Sequence, residues 1–151
     1  MVLVESPDRT AWEALSLEIE HPGWSKVELP RGTTAQPIAG SDIAALMIKI
    51  LNREGNLGII YDGLPVSGVS GTLGPGYDRF TGSSSAARGA INAKTGWINN
   101  AYTLAGIIHS KDGTPLSFAV YALGNVSDNA KAAIDNLVAG MYECGDNLSN
   151  N

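Results

Sequence analysis

The sequence predicts an α+β domain in which an antiparallel sheet of about three strands is covered by a C-terminal helix. Three observations carry this. Short apolar runs follow one another over residues 90–123, two stretches with a helical apolar period flank them, and a glycine-dense segment without a period precedes the runs. At 151 residues with 44% hydrophobic content the chain is long enough to bury a core, so one domain over residues 1–151 is expected.

In chain order, Thr10 and Glu13 have capping-box spacing, and Ala11, Trp12, Leu15 and Ile19 share a face. A short first helix is predicted there, ending near His21-Pro22-Gly23. Trp24 to Gly40 shows no sustained period and reads as an extended stretch and loop. Ser41 is expected to cap a helix whose stripe is Ile43, Leu46, Met47, Ile50 and Leu51, with Gly55 as its stop. The glycine-rich segment from Gly55 to Gly89, interrupted by Pro65 and Pro75, is the part expected to line a cleft.

Ala90 to Ile98, Ala101 to His109 and Leu116 to Leu123 are the three predicted strands. Asn99-Asn100 makes the first connection a tight hairpin and Lys111 to Pro115 makes the second a longer one, so the order is a meander. Ser127-Asp128 is expected to cap a last helix with Ala130, Ala133, Ile134, Leu137, Val138, Met141 and Tyr142 on one face, ending at Gly145.

Composition narrows the function classes. A net charge of −5 with no basic run argues against nucleic acid or an anionic membrane surface as partner. Residues Met1 to Thr10 have neither the charged start nor the long apolar core of a signal peptide, and no stretch reads as a membrane span. The single cysteine, Cys144, allows no intrachain disulfide and reads as a bland helix thiol. His21 and His109, far apart and without a carboxylate or cysteine cluster, give no metal site, and no cofactor is expected. Gly71 to Gly76 lacks the Gly-Lys-Ser/Thr of a phosphate loop.

The stretch that carries chemistry is Lys94-Thr95-Gly96. Alone the triplet has little specificity. Its flanks add the rest: Gly63-Leu-Pro-Val-Ser-Gly-Val-Ser-Gly-Thr-Leu73, then Arg79-Phe80, then Gly89-Ala-Ile-Asn-Ala-Lys-Thr-Gly96, then Leu104-Ala-Gly106. In order and spacing these resemble the D-alanyl-D-alanine carboxypeptidases of the penicillin-binding protein 4 type. The resemblance implies part of a serine β-lactamase/transpeptidase-like fold, in which this chain corresponds to the C-terminal part of the catalytic domain.

It also implies roles. Lys94 would be the catalytic residue, aiding proton movement and supplying positive potential, while Thr95, Gly96 and the following Trp97 would bind substrate. The ligand class is a peptidoglycan stem peptide ending in D-Ala-D-Ala, and the place of work is outside the cytoplasm. Trp97 departs from the family, which has threonine or serine there. It either shapes an apolar subsite or packs outside the sheet.

The family also uses Ser-x-x-Lys and Ser-x-Asn ahead of Lys-Thr-Gly. None of Lys26, Lys49, Lys94, Lys111 and Lys131 has a serine three residues earlier. Ser127-Asp128-Asn129 comes after Lys94 and reads as a helix cap, and Ser149-Asn150-Asn151 lies in the tail. Ser6-Pro7-Asp8 has aspartate in place of asparagine, and Leu29-Pro-Arg-Gly32 stands where the family has a glycine- and serine-rich segment.

The leading expectation is therefore a piece of a carboxypeptidase/endopeptidase that is inactive alone. It would bind β-lactams only with an N-terminal portion and would pair with that portion or with a second copy through an exposed sheet edge. The alternatives are a non-catalytic module that binds cell-wall peptide or a protein, and an unrelated α+β binding domain with an accidental Lys-Thr-Gly.

Overall fold

The computed structural model describes residues 2–5, 39–124, 126–127 and 129–148. The expected first helix from Thr10, the stretch after Trp24 up to residue 38, and the tail beyond residue 148 lie outside the described residues, as do Ser6-Pro7-Asp8 and Leu29 to Gly32. Strands β1 (Val2–Glu5), β2 (Ile91–Ile98), β3 (Ala101–His109) and β4 (Pro115–Leu123) form one antiparallel sheet in the order β1-β4-β3-β2. The last three are the expected meander, with Ile98 paired to Ala101 across Asn99-Asn100 and His109 paired to Pro115.

The fourth strand is an addition to the expected three. β1 pairs along β4 from Val2 opposite Val120 to Glu5 opposite Ser117. Four residues are too few for a periodic signal, and only pairing with a distant strand makes them one.

Alternation along the strands gives the sheet two unlike faces. On one, Ile91, Ala93, Leu104, Ile108, Leu116, Phe118 and Val120 meet Leu73, Phe80 and Ala87 of the loop segment and Ile134, Val138, Ala139 and Met141 of helix α3 (Asn129–Cys144). On the other, Ile107 packs with Met47 and Ile50 of helix α1 (Gly40–Leu51) and with Leu64. Helices thus cover both faces, where the sequence predicted only the C-terminal one as the cover.

The helices differ from their expected stripes in detail. In α1, Ala44, Ala45 and Ile48 are buried while Leu46 is 39% exposed. Small residues lie closest because the helix packs against β4, β3 and β1. Ser41 does not cap α1: Ala39 holds the N-cap position without a side-chain hydrogen bond, and the buried Ser41 hydroxyl has no partner among the described residues. In α3, Leu137 is exposed and Asp135, which no apolar pattern selects, is buried. At its start the Ala130 N–H donates to the Ser127 carbonyl, a backbone contact from the residue expected as cap.

The loop segment carries a short helix α2 (Gly58–Gly63) and three 3₁₀ turns at Gly71–Leu73, Pro75–Tyr77 and Gly82–Ala87. Ser67, fully buried, pins it to the sheet: its N–H donates to the Ile91 carbonyl, and its hydroxyl donates to the Ala87 carbonyl and accepts from the Ile91 N–H. At the β3–β4 turn, Asp112 accepts from the Ser110 hydroxyl and the Thr114 and Asp146 N–H groups, tying the hairpin to the end of α3.

Two predictions follow from this packing. At Gly106 an added Cβ would lie 2.3 Å from the Asn92 carbonyl oxygen and 2.6 Å from the Ala93 Cα, both backbone atoms. Gly106→Ala is expected to cost about 1–3 kcal/mol or more in a denaturant titration, because neither strand can give way alone. Its hydrogen bonds hold the Asp112 carboxyl well below the usual aspartate range. Its contribution is therefore present above the unfolded-state value and is lost as pH falls below about 4. The stability gap between wild type and Asp112→Asn should be widest at neutral pH and close on acidification.

Candidate active site

Lys94, Thr95, Gly96 and Trp97 are consecutive on β2, at the edge of the sheet. Consecutive strand residues point to opposite faces, so the four divide into two pairs. Lys94 stands opposite Ala105 on the α1 side, exposed, with its ammonium donating to the Thr95 carbonyl at 2.5 Å. Gly96 stands on the same side opposite Thr103, whose hydroxyl oxygen lies 2.3 Å from where a Cβ would be.

Thr95 and Trp97 face the α3 side. The Thr95 hydroxyl donates to the Thr72 hydroxyl at 2.9 Å, joining the strand to the Gly71–Leu73 turn. Trp97 pairs with Tyr102 across the hairpin, rings stacked 6.0 Å apart at 19°. The Lys131 ammonium of α3 lies 5.3 Å above the Tyr102 ring. These side chains, with Tyr77 and Arg79, line a cleft of about 340 Å³. Lys94 does not line it.

Among the described residues, backbone partners cover the outer edge of β2 only at its start. The Ser67 N–H donates to Ile91 and the Ala93 N–H to the Pro65 carbonyl, so the odd-numbered residues of β2 point their backbone groups outward. By that alternation Thr95 and Trp97 do the same. Among the described residues no strand pairs with them on that side. The site therefore offers an open strand edge, an ammonium on one face and a hydroxyl and aromatic cleft on the other.

One buried ion pair lies beside the cleft. The Arg79 guanidinium donates to both carboxylate oxygens of Asp135 at 2.6 to 3.1 Å, with the residues 5% and 2% exposed. Asp135 also accepts the Phe80 N–H at 3.0 Å, although Phe80 is fully buried in a left-handed backbone conformation at φ 52°. Sequence reading marked Arg79 only as part of a motif and missed Asp135, Thr72 and Tyr102. A lone acid between Ile134 and Val138 carries no signal of its distant partner.

His109, at the end of β3, makes a 2.7 Å hydrogen bond with the Tyr61 hydroxyl of α2, and Arg53 bridges Asp62 at 2.6 Å beside it. Among the described residues no group of three or more His, Cys, Asp or Glu side chains is placed to hold a metal ion, and no helix is long and apolar enough to cross a membrane.

The sheet thus has helices on both faces and carries Lys-Thr-Gly on an edge strand. Two solved structures of penicillin-binding protein 4 (dacB) from Haemophilus influenzae superpose on this chain with TM-scores of 0.58 and 0.57. They cover 70% and 74% of it at 23% and 20% identity, which establishes the fold. Residues 34–143 match the D-Ala-D-Ala carboxypeptidase 3 (S13) family, and the chain belongs to that family. Carboxypeptidase DacB of Mycolicibacterium smegmatis is 38% identical over 86 residues, 57% of this chain. The chain spans 18% of that relative's length and 24% and 27% of the two solved structures.

The buried pair yields a test of the cleft's scaffold. Asp135→Ala leaves a buried guanidinium unpaired and releases Phe80, so a loss of about 3–5 kcal/mol is expected in chemical denaturation. An Arg79→Met/Asp135→Leu double variant should recover part of that loss, since the uncompensated charge is gone.

Proposed function

We propose that this chain is the C-terminal, strand-bearing portion of a peptidoglycan D-alanyl-D-alanine carboxypeptidase/endopeptidase catalytic domain. Its part is to supply one wall of the active site. The observation that carries this is Lys94-Thr95-Gly96 on an open edge strand of the family's sheet, in a sequence without Ser-x-x-Lys. The serine nucleophile and its base come from a segment outside this sequence.

The division of faces supports separate roles. Lys94, on the α1 side, supplies positive potential and aids proton movement at the serine that would approach from that side. In the complex the Thr95 hydroxyl turns its proton from Thr72 to the carboxylate of the terminal D-alanine, and Gly96, without a side chain, lets the peptide approach the strand closely. Outward backbone groups of Thr95 and Trp97 take the peptide as an added strand. Serine attack on the D-Ala-D-Ala carbonyl would release D-alanine and leave an acyl-enzyme, which water hydrolyses. The place of work is outside the cytoplasm, where the stem peptide is found.

Alone, the chain is expected neither to release D-alanine nor to be labelled covalently by fluorescent penicillin. Stable labelling of the isolated chain would overturn the incomplete-site reading. Co-expression with a segment bearing Ser-x-x-Lys and Ser-x-Asn should restore D-alanine release, and Lys94→Ala should lower it by about 100-fold or more. Activity unchanged by Lys94→Ala removes the catalytic assignment.

A further inference from the structure

The loop segment is tied to β2 at three alternate residues, and the third tie differs in kind. Ile91 and Ala93 are held through the backbone: the Ile91 carbonyl accepts the Ser67 N–H at 2.9 Å, and the Ala93 N–H donates to the Pro65 carbonyl at 2.9 Å. Thr95 is held through its side chain, by the 2.9 Å bond to the Thr72 hydroxyl. The backbone of Thr72 is itself closely confined. Before it stands Gly71, at φ 54° with Pro65 Cγ 3.0 Å from where a Cβ would be. After it stands Leu73, fully buried, whose carbonyl accepts the Gly68 N–H at 2.7 Å. Both threonine side chains line the cleft.

A hydroxyl has one proton to give and two lone pairs that accept, and it turns about its C–O bond without moving its oxygen. In the free chain Thr95 gives its proton to Thr72. An ionised carboxylate only accepts, so Thr95 must turn its proton away from Thr72 to bind one. The Thr95 oxygen is then free to accept from the Thr72 hydroxyl across the same distance. The bond between the two threonines reverses direction while both oxygens stay in place, and a donor that is itself hydrogen-bonded from behind is strengthened by polarisation. Without that partner, nothing distinguishes the Thr95 rotamer that aims the hydroxyl into the cleft from one that aims the methyl there.

We propose that Thr72 is a positioning residue for recognition of the substrate carboxylate. It holds the Thr95 hydroxyl in the cleft before the peptide arrives, and it donates to Thr95 once Thr95 donates to the carboxylate. This rests on the reading of Thr95 as the carboxylate contact. Thr72 touches neither the carboxylate nor the reacting carbonyl, and each hydroxyl keeps its own proton throughout. Dependence on Thr95 is heightened because the next side chain on the same face of β2 is Trp97, which brings an indole and no hydroxyl.

Two measurements test this. In the isotope-labelled 151-residue chain, three-bond couplings read the χ1 angle of Thr95. Wild type and Thr72→Ser are expected to hold one rotamer, and Thr72→Val a mixture; Thr72→Ala gives a second reading if valine disturbs the turn. A single Thr95 rotamer in both Thr72→Val and Thr72→Ala overturns the proposal. The second measurement uses the chain co-expressed with a segment bearing Ser-x-x-Lys and Ser-x-Asn, and compares acetyl-Nε-acetyl-L-Lys-D-Ala-D-Ala with its C-terminal carboxamide. Thr72→Val should lower kcat/KM about tenfold for the carboxylate peptide and leave the carboxamide within about twofold, while Thr72→Ser keeps the wild-type preference. An equal fall with both peptides marks a merely structural residue, and an undiminished preference in Thr72→Val leaves the carboxylate independent of Thr72; either overturns the proposal alone. A wild-type complex that does not prefer the carboxylate peptide, or that releases no D-alanine, overturns the reading of Thr95 and the role of Thr72 with it.

Discussion

The buried pairing of Arg79 with Asp135 is the interaction on which the geometry of the cleft depends. It is a meeting point of the glycine-rich segment and the C-terminal helix, which the Ser83–Asn136 hydrogen bond also joins, there at the surface. Burying two charges is costly, and the cost is offset only when the fork of the guanidinium meets both carboxylate oxygens, as it does here. The same carboxylate takes the N–H of Phe80, which sits in a backbone region that costs about 1–2 kcal/mol for a residue with a side chain. One acid thus fixes a bend, seats a core aromatic, and sets a wall beside Thr95 and Trp97.

A second constraint, the period of two along β2, organises the chemistry. Four consecutive residues can serve two different compartments because each step along a strand reverses the side chain. Lys94 and Gly96 belong to the α1 side, Thr95 and Trp97 to the α3 side, and the backbone between them belongs to the open edge. Gly96 and Gly106 keep this arrangement tight, since a side chain at either would strike the neighbouring strand. Ser67 closes the edge at Ile91 and Pro65 closes it at Ala93, and among the described residues no strand pairs with it where the motif begins.

Much of the fold was legible from local pattern. The β2–β3 and β3–β4 hairpins are encoded by short apolar runs with turn residues between them, and α1 and α3 by apolar repeats near 3.6 residues. These signals are local because the partner strand or the next turn lies only a few residues away. β1 was not legible, because its partner lies more than a hundred residues later. The expected cap at Ser41 failed for a related reason: the residue type suits a cap, but the helix begins one residue earlier and carries the hydroxyl inward. Leu46 and Leu137 read as core and are exposed, while Ala44 and Ala139 are buried. Periodicity reports a face and not how closely the neighbour approaches it.

The sequence by itself determined the class of the chain, the identity of the motif at Lys94 to Gly96, the meander that carries it, and the lack of a Ser-x-x-Lys partner within these 151 residues. Those are properties of residue order and short-range spacing. Only the tertiary structure decided that Lys94 and Trp97 lie on opposite faces of an edge strand, that Trp97 stacks on Tyr102 beside Lys131, and that Asp135 is the partner of Arg79. Each of these depends on bringing together groups from separate strands, turns and helices. Contacts at that separation are set by how the layers pack and not by the pattern of any one segment.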